Sequence, residues 1–282
     1  MEPFLGSEAL AAGRVRKHQL RANFRAVYPN VYVPADAVLT LRQRAMAGWL
    51  WSGRRGVVGG LTAAALHGAQ WVDPDEPVEL IHVCGRPPVG IRIHAAVLQP
   101  GETGIHAGLP VTTPLRTAFD LGRRGRLEEA VARLDALARA TSFDAAAVHE
   151  LAQQHRHSRG LRHLERALTL VDAGAQSPRE TRLRLMLTNA GLPRPQTQIP
   201  VCTPGGQLFA YLDMGWENWM VAVEYDGDQH RVDRRQYVKD IRRLETLAQL
   251  GWTVVRVVAE DRRSDVLRRV RAAIESRQVS LQ

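Results

Sequence analysis

Apolar positions recur along this chain at two spacings, and the change from one to the other marks its main division. Between residues 114 and 171 they fall three and four apart. Leu127 to Ala140, Phe143 to His155 and Leu161 to Val171 therefore read as amphipathic helices. Thr113 and Pro114 start another, to Leu121, as an N-cap and first-turn proline. Asp172-Ala173-Gly174-Ala175 breaks the run. Beyond it the pattern alternates. Strands are predicted at Gln196 to Cys202, Leu208 to Met214, Met220 to Tyr225 and Thr253 to Val258, the last Val-rich as a buried strand is. A helix opens at Ser177-Pro178-x-Glu180, with Ser as N-cap, Pro in the first turn and Glu closing a capping box. Tyr237, Ile241, Leu244 and Ala248 mark a second, and Ser264 caps a third to about Arg277. The order of this last part is α-β-β-β-α-β-α.

Upstream the pattern is finer. Ser7 can cap a short helix through Leu10 with Gly13 as its stop, and Arg16 to Asn23 forms another. Phe24 to Tyr28 and Val31 to Val33 flank Pro29-Asn30 as a small hairpin. Leu41 to Trp51 and Leu61 to His67 are helical, and Val78 to Cys84 and Ile91 to Ala96 are strand-like. The fold class expected is α/β, of the multi-domain α+β kind. It comprises a winged-helix-like module at 1–36, a middle α/β domain with a helical linker at 37–172, and an αβββαβ domain at 173–282.

With 282 residues and 45% hydrophobic content, the chain has ample material for more than one packed core. No run of 18 apolar residues occurs, and the first residues lack a signal peptide's basic and apolar regions, so a cytoplasmic protein away from membranes is expected. Two cysteines, Cys84 and Cys202, make no disulfide framework.

Charge sharpens the domain reading. The net charge is +9, and only Lys17 and Lys239 are lysines, so the cations are almost all planar arginine donors suited to phosphate. Residues 1–60 carry 9 basic and 3 acidic side chains, residues 61–170 carry 12 of each, and residues 171–282 carry 17 and 14. Two thirds of the excess thus sits in the first fifth of the chain. Arg14, Arg16, Lys17, Arg21 and Arg25 lie on the short helices and hairpin, where a helix-turn-helix meets DNA. The competing reading is a helical cap with solvated arginines. His155, His157 and His163 stand among Arg156, Arg159 and Arg162, which reads as a solvated linker face rather than a metal cluster.

The last domain groups its acids. A two-residue loop at Glu217-Asn218 would set Asp213 opposite Ala222, which brings Asp213, Glu224 and Asp226 to one face of a hairpin. Three acids there need a cation, and a hard divalent ion, Mg2+ or Mn2+, can serve them while activating water at a phosphodiester. The alternative is an acidic edge that only prevents strand pairing. Met220 to Tyr225 is apolar enough for a central strand, where an isolated charge is costly. Arg256, inside an apolar strand, needs an acidic partner, Asp240 and Arg243 are spaced as a helical pair, and Trp216, Trp219 and Trp252 read as core.

Two resemblances follow from these motifs. Ser177-Pro178-x-Glu180, Asp213, Val223-Glu224-Tyr225-Asp226-Gly227-x-x-His230, Asp240-x-x-Arg243 and Gly251-Trp252-x-Val254-x-Arg256 resemble the very-short-patch-repair (Vsr-like) endonucleases of the PD-(D/E)xK restriction-endonuclease-like superfamily. That resemblance implies metal-binding acids at Asp213 and Glu224 and a supporting helix acid at Glu180. Asp226 stands where the superfamily has lysine, so Asp226 becomes a further metal ligand and His230 the base or transition-state donor. Arg231, Arg234 and Arg235 would track phosphates. Gly13 to Val33, Val57-x-Gly59 to His67-Gly68, and Gly108 to Leu121 with its Thr112-Thr113-Pro114-x-Arg116-Thr117-x-x-Asp120 core resemble the AbiE-type (AbiEi) antitoxin and transcriptional-regulator family. The expectation is a Mg2+-dependent DNA endonuclease with an N-terminal DNA-binding module, acting as a homodimer where both strands are cut. The alternative is a non-catalytic DNA-binding regulator that keeps a nuclease fold as a binding surface.

Overall fold

The computed structural model describes all residues except 85, 227–233 and 281–282; of residues 234–238 and 280 it describes the helical backbone alone. The chain forms two compact units, Met1–Thr169 and Leu170–Gln282.

The first unit opens with strand β1 (Phe4–Leu5), helices α1 (Gly6–Ala11) and α2 (Lys17–Asn23), and strands β2 (Phe24–Tyr28) and β3 (Val31–Pro34). The helix–helix–hairpin order is the one expected, and β1 adds what the sequence pattern did not reveal. It pairs antiparallel with β3, so the sheet runs β1-β3-β2. Ser7 does not cap α1 as expected. The N-cap is Leu5, two residues earlier, and Ser7 is held by Asn30, whose side chain accepts from the Ser7 amide at 2.9 Å and donates to its hydroxyl at 2.8 Å. Asn30 sits in the hairpin turn at φ 63°, a left-handed conformation that asparagine tolerates. Gly13, at φ 66°, ends the α1 segment.

Helix α3 (Leu41–Trp51) follows, its first turn closed by a capping box between Thr40 and Gln43. Then come β4 (Val57–Val58), α4 (Gly60–Leu66), β5 (Val78–Ile81), β6 (Ile91–His94), β7 (Thr103–His106) and β8 (Leu109–Thr112). The sheet order is β6-β5-β4-β8-β7, with β4 parallel to β8 and β5 parallel to β6. Helices α5 (Pro114–Gly122), α6 (Leu127–Thr141), α7 (Ala145–Gln154) and α8 (Leu161–Leu170) complete the unit. As expected, Thr113 caps α5 and Pro114 occupies its first turn. One apolar core joins the N-terminal hairpin to this sheet: Tyr28 and Val31 pack with Ala45, Ala47 and Leu50 of α3 and with Val58, Val78, Leu80 and Val111.

The second unit has α9 (Pro178–Asn189), β9 (Gln196–Cys202), β10 (Leu208–Trp216), β11 (Val221–Tyr225), α10 (Arg234–Gln249), β12 (Thr253–Val257) and α11 (Arg263–Ser280). This is the αβββαβα order predicted. The sheet runs β12-β11-β10-β9, so β11 is central. Alternate residues of β11 serve two apolar clusters, as the strand period requires. Val221 and Val223 pack with Leu183 and Leu187 of α9 and Val266 and Val270 of α11. Ala222 packs with Leu247 of α10, Ile199, Leu212 and Trp252.

The β10–β11 register differs from the expectation. Met214 pairs with Val223 and Trp216 with Val221, and continuing this ladder puts Asp213 opposite Glu224, not Ala222. The loop is longer than two residues: Glu217–Trp219 form a 3₁₀ turn and Met220 turns back at φ 54°. A shift of two residues preserves the face, so the acids still converge.

Candidate functional sites: a basic helix and an acidic cavity

Helix α2 turns Leu20 inward and leaves Lys17, His18 and Arg21 exposed. Arg14 and Arg16 ahead of it and Arg25 on β2 are exposed as well. Gln19 is used locally: its side-chain oxygen accepts from the Arg16 amide at 2.9 Å and closes the first turn. Arg25 donates to the Ala37 carbonyl at 2.9 Å. Among the described residues, Arg16, Lys17 and Arg21 form no ion pair. The outer face of the second helix is therefore a row of uncompensated cations beside a short basic hairpin. Such a face can bind a polyanion electrostatically.

The acids of the second unit lie around a cavity of about 160 Å³, lined by Asp213, Glu224, Asp226, Asp240, Arg243 and Arg256. The ladder dictates how they arrive there. Asp213 and Glu224 stand opposite one another on β10 and β11, and Asp226 follows the end of β11, its amide bonded to Val257 of β12 at 2.8 Å. Arg256 is the β12 neighbour of Glu224, and Arg243 reaches in from α10. His230 and Arg231 lie outside the described residues. Arg234 and Arg235 open α10, and their side chains are not described.

Each carboxylate has a different environment. Glu224 is buried and held by both terminal nitrogens of Arg243, at 2.6 and 2.9 Å, while Arg243 also donates to the Tyr211 carbonyl at 2.9 Å. Asp240, one helix turn before Arg243, adds its charge to that of Glu224 in stabilising the guanidinium. Asp226 is paired with Arg256, which supplies the acidic partner that Arg256 required. Asp213 accepts from the Tyr225 amide at 2.9 Å and has no ion-pair partner among the described residues. Burial, then the charge of Glu180, then that of Glu224 push its carboxyl up from the ordinary value to about 7, against the pull of the Tyr225 amide and Arg243. Glu180 is buried in the first turn of α9, where it accepts from the Gln176 amide at 2.8 Å and the Ser177 hydroxyl at 2.9 Å. It is thus a capping acid that also acts on Asp213 through its field.

Carboxylate oxygens are the donor type that a hard divalent cation takes. Of Asp213, Glu224 and Asp226, two are already engaged by guanidinium groups. Among the described residues, no three acidic, histidine or cysteine side chains are gathered as a metal site. The neutralisation that the sequence analysis assigned to a metal ion is met in large part by arginine.

A second arginine–carboxylate cluster escaped the sequence reading. Arg116 of α5 is buried and donates to Asp120 at 2.9 Å, to Glu102 at 2.6 Å and to the Val97 carbonyl at 2.9 Å. Asp120 also takes Arg123 at 2.8 Å. His155, expected on a solvated face, is instead bonded to Glu102 at 2.5 Å and packs on Phe119. The four-residue spacing of Arg116 and Asp120 was a visible signal. Glu102, from the loop before β7, was not.

These positions bear on the comparisons with known proteins. Residues 57–173 match the family described as the AbiEi antitoxin C-terminal domain. The match takes in the Arg116 cluster and two of the three segments that carried the AbiEi resemblance, at Val57 to Gly68 and Gly108 to Leu121. Over 209 residues, 72% of this chain and 74% of the relative, the sequence is 30% identical to the uncharacterized protein Rv2248 of Mycobacterium tuberculosis strain H37Rv. The same figures hold for the uncharacterized protein MT2308 of strain CDC 1551. The chain belongs to the family of these mycobacterial proteins. Its AbiEi-like region is the sheet and helices of the first unit from β4 onward. The readings of the second unit rest on its own residues and geometry. No helix among the described residues is long and apolar enough to cross a membrane.

Proposed function

We propose that this protein is a DNA-binding regulator of the antitoxin type, with α2 and the β2–β3 hairpin as its contact to the duplex. The observation that carries the reading is the exposed, unpaired row Arg16, Lys17 and Arg21, flanked by Arg14 and Arg25. The AbiEi match over residues 57–173 supports it. The role given to these cations is phosphate neutralisation. Fluorescence anisotropy with duplex DNA across a salt series tests this. The double substitution Lys17→Ala, Arg21→Ala is expected to weaken binding and to reduce the slope of log affinity on log salt by roughly two. Binding that ignores salt, or is equal in the double variant, overturns the assignment.

The acidic cavity favours a second reading: metal-dependent hydrolysis of DNA phosphodiesters in the Leu170–Gln282 unit. Bound there, Mg2+ or Mn2+ would supply Lewis-acid polarisation of a phosphate and an activated water. Asp213, Glu224 and Asp226 would hold the ion, and the Tyr225 amide fixes the Asp213 carboxylate against β11. Arg243 and Arg256, which line the same cavity, would take the phosphate's charge. Cleavage assays with Mg2+ and Mn2+ on supercoiled, mismatched, single-stranded and RNA substrates test the reading. Asp213→Ala and Glu224→Ala should abolish cleavage of DNA, and cleavage at the unsubstituted rate in either removes the site.

A further inference from the structure

We propose that the exposed Trp71 and the acids that follow it dock on the basic α2 face of a second copy of this chain, so that the protein covers its own DNA contact until a duplex displaces the copy. The inference concerns the regulation of the contact given to α2 and rests on the DNA-binding reading of it.

Trp71 leads to this. It is 62% exposed, in the loop between α4 and β5, and stands at φ 65°. That left-handed conformation suits glycine or asparagine and is an outlier for a bulky side chain. A folded chain gains little from holding a strained tryptophan out in water, whereas a large flat ring of this kind is a frequent anchor between proteins. The loop is also built to keep its shape. The Asp73 side chain accepts from the Asp75 amide at 2.8 Å, and its carbonyl accepts from the Glu76 amide at 3.1 Å. Arg44 of α3 donates to the Glu76 carbonyl at 3.2 Å, and Pro74 and Pro77 fix two of the loop's φ angles.

Charge names the occupant. In a chain of net charge +9, residues 71–76 carry Asp73, Asp75 and Glu76 and no cation. Asp73 and Asp75 are exposed and form no ion pair among the described residues, and Glu76 meets Arg92 at 3.5 Å. The complementary surface is on the same molecule: the exposed row Arg16, Lys17 and Arg21, which also forms no ion pair among the described residues. An indole ring flanked by carboxylates takes a guanidinium or an ammonium both by cation–π attraction and by ion pairing. Loop and row belong to one unit, so every copy carries one of each, and two copies can make the contact twice about a twofold axis. The phosphates of a duplex compete for the same cations. Self-association and DNA binding therefore oppose each other, and the coupling is reciprocal.

Sedimentation velocity of the full chain tests this at low and high salt, with and without a short DNA duplex. The unsubstituted chain should self-associate at low salt and come apart in high salt or when duplex is added. Trp71→Gly, which is at ease at φ 65°, should weaken association at least about thirtyfold, the loss expected of an interface anchor, while binding duplex no more weakly. Asp75→Arg and Arg21→Asp should each weaken association at least about tenfold. An equimolar mixture of the two should recover it, because the new arginine of one copy meets the new aspartate of the other, a result that misfolding cannot mimic. A chain that is monomeric under every condition overturns the contact, and if calorimetry shows it binding an oligolysine peptide through Trp71, the loop's partner is a different basic protein. Association indifferent to the charge exchange overturns it as well. Association that obeys the exchange in a chain that binds no duplex leaves the contact between copies standing and overturns the DNA-binding reading, and the regulatory role with it.

Discussion

The molecule packs arginine against carboxylate twice, once in each unit, with opposite results. In the first unit, Arg116, Glu102 and Asp120 have side chains 1–4% exposed, and the two acids face cations or a histidine. Burial pushes the Asp120 carboxyl up, but the charge and hydrogen bond of Arg116, with Arg124 and Arg123 behind it, more than reverse this and hold it below the usual carboxylate range. In the second unit, Glu224 and Asp226 have their arginines, while Asp213 has an amide and two acidic neighbours, and its carboxyl rises to about 7. Burial of a carboxylate therefore does not by itself mark a functional site. What distinguishes the two clusters is whether every negative charge has an ion-pair partner among the described residues and whether a cavity adjoins the one that has none there.

The comparison breaks most readily at Arg116. Arg116→Met leaves Glu102 and Asp120 buried without their guanidinium, and losing one partner of a buried pair costs about 3–5 kcal/mol. Urea denaturation should show that loss; a change below about 1 kcal/mol would mean the cluster is solvated and not structural. Asp213→Asn should act in the other direction. The folded Asp213 holds its proton to about pH 7, while an unfolded aspartic acid releases it near pH 4. The stability it contributes is thus fully present below about pH 4 and is lost as pH rises through about 7, a swing of up to roughly 4 kcal/mol. The asparagine variant should lack that slope and be the more stable chain at pH 8. Parallel stability curves from pH 4 to 8 would show that Asp213 is no strained acid. The smallest effect is expected at Arg268, whose pair with Asp265 is 3.5 Å long and has side chains 72% and 48% exposed. Arg268→Ala should change stability by no more than about 0.5 kcal/mol, the floor against which the other two are judged.

Much of this was readable from residue order, and the gaps have a common cause. Helices α5 to α9 were legible because their apolar spacing and their caps at Thr113 and Ser177 are local signals. The acid trio was legible because alternation along β10 and β11 is local too, and an error of two residues in the loop leaves the face unchanged. The cations were not. Arg243 meets Glu224 across 19 residues and Arg256 meets Asp226 across 30, through a helix crossover and a parallel pairing with β11 that the periodicity of the elements themselves does not specify. His155 meets Glu102 across 53 residues, so its arginine-rich neighbours on the chain misdescribed its surroundings. Strands β1 and β4, of two residues, are too short for a pattern to show, and β7 is exposed throughout, so it has no apolar alternation to read.

The apolar core that runs from Tyr28 and Val31 through α3 to Val78, Leu80 and Val111 has a thermodynamic consequence of its own. A module whose interior is continuous with its neighbour's cannot melt alone, so whatever grips the hairpin stabilises the AbiEi-like sheet in the same measure. Ligand binding raises a melting temperature by mass action on every residue that unfolds with the site. Duplex DNA held by α2 should therefore delay hydrogen exchange in β5 and β8 as well as in the hairpin itself, although no base or phosphate comes near those strands. A fragment ending after β3 would expose half an interior and forfeit the affinity it was cut to isolate.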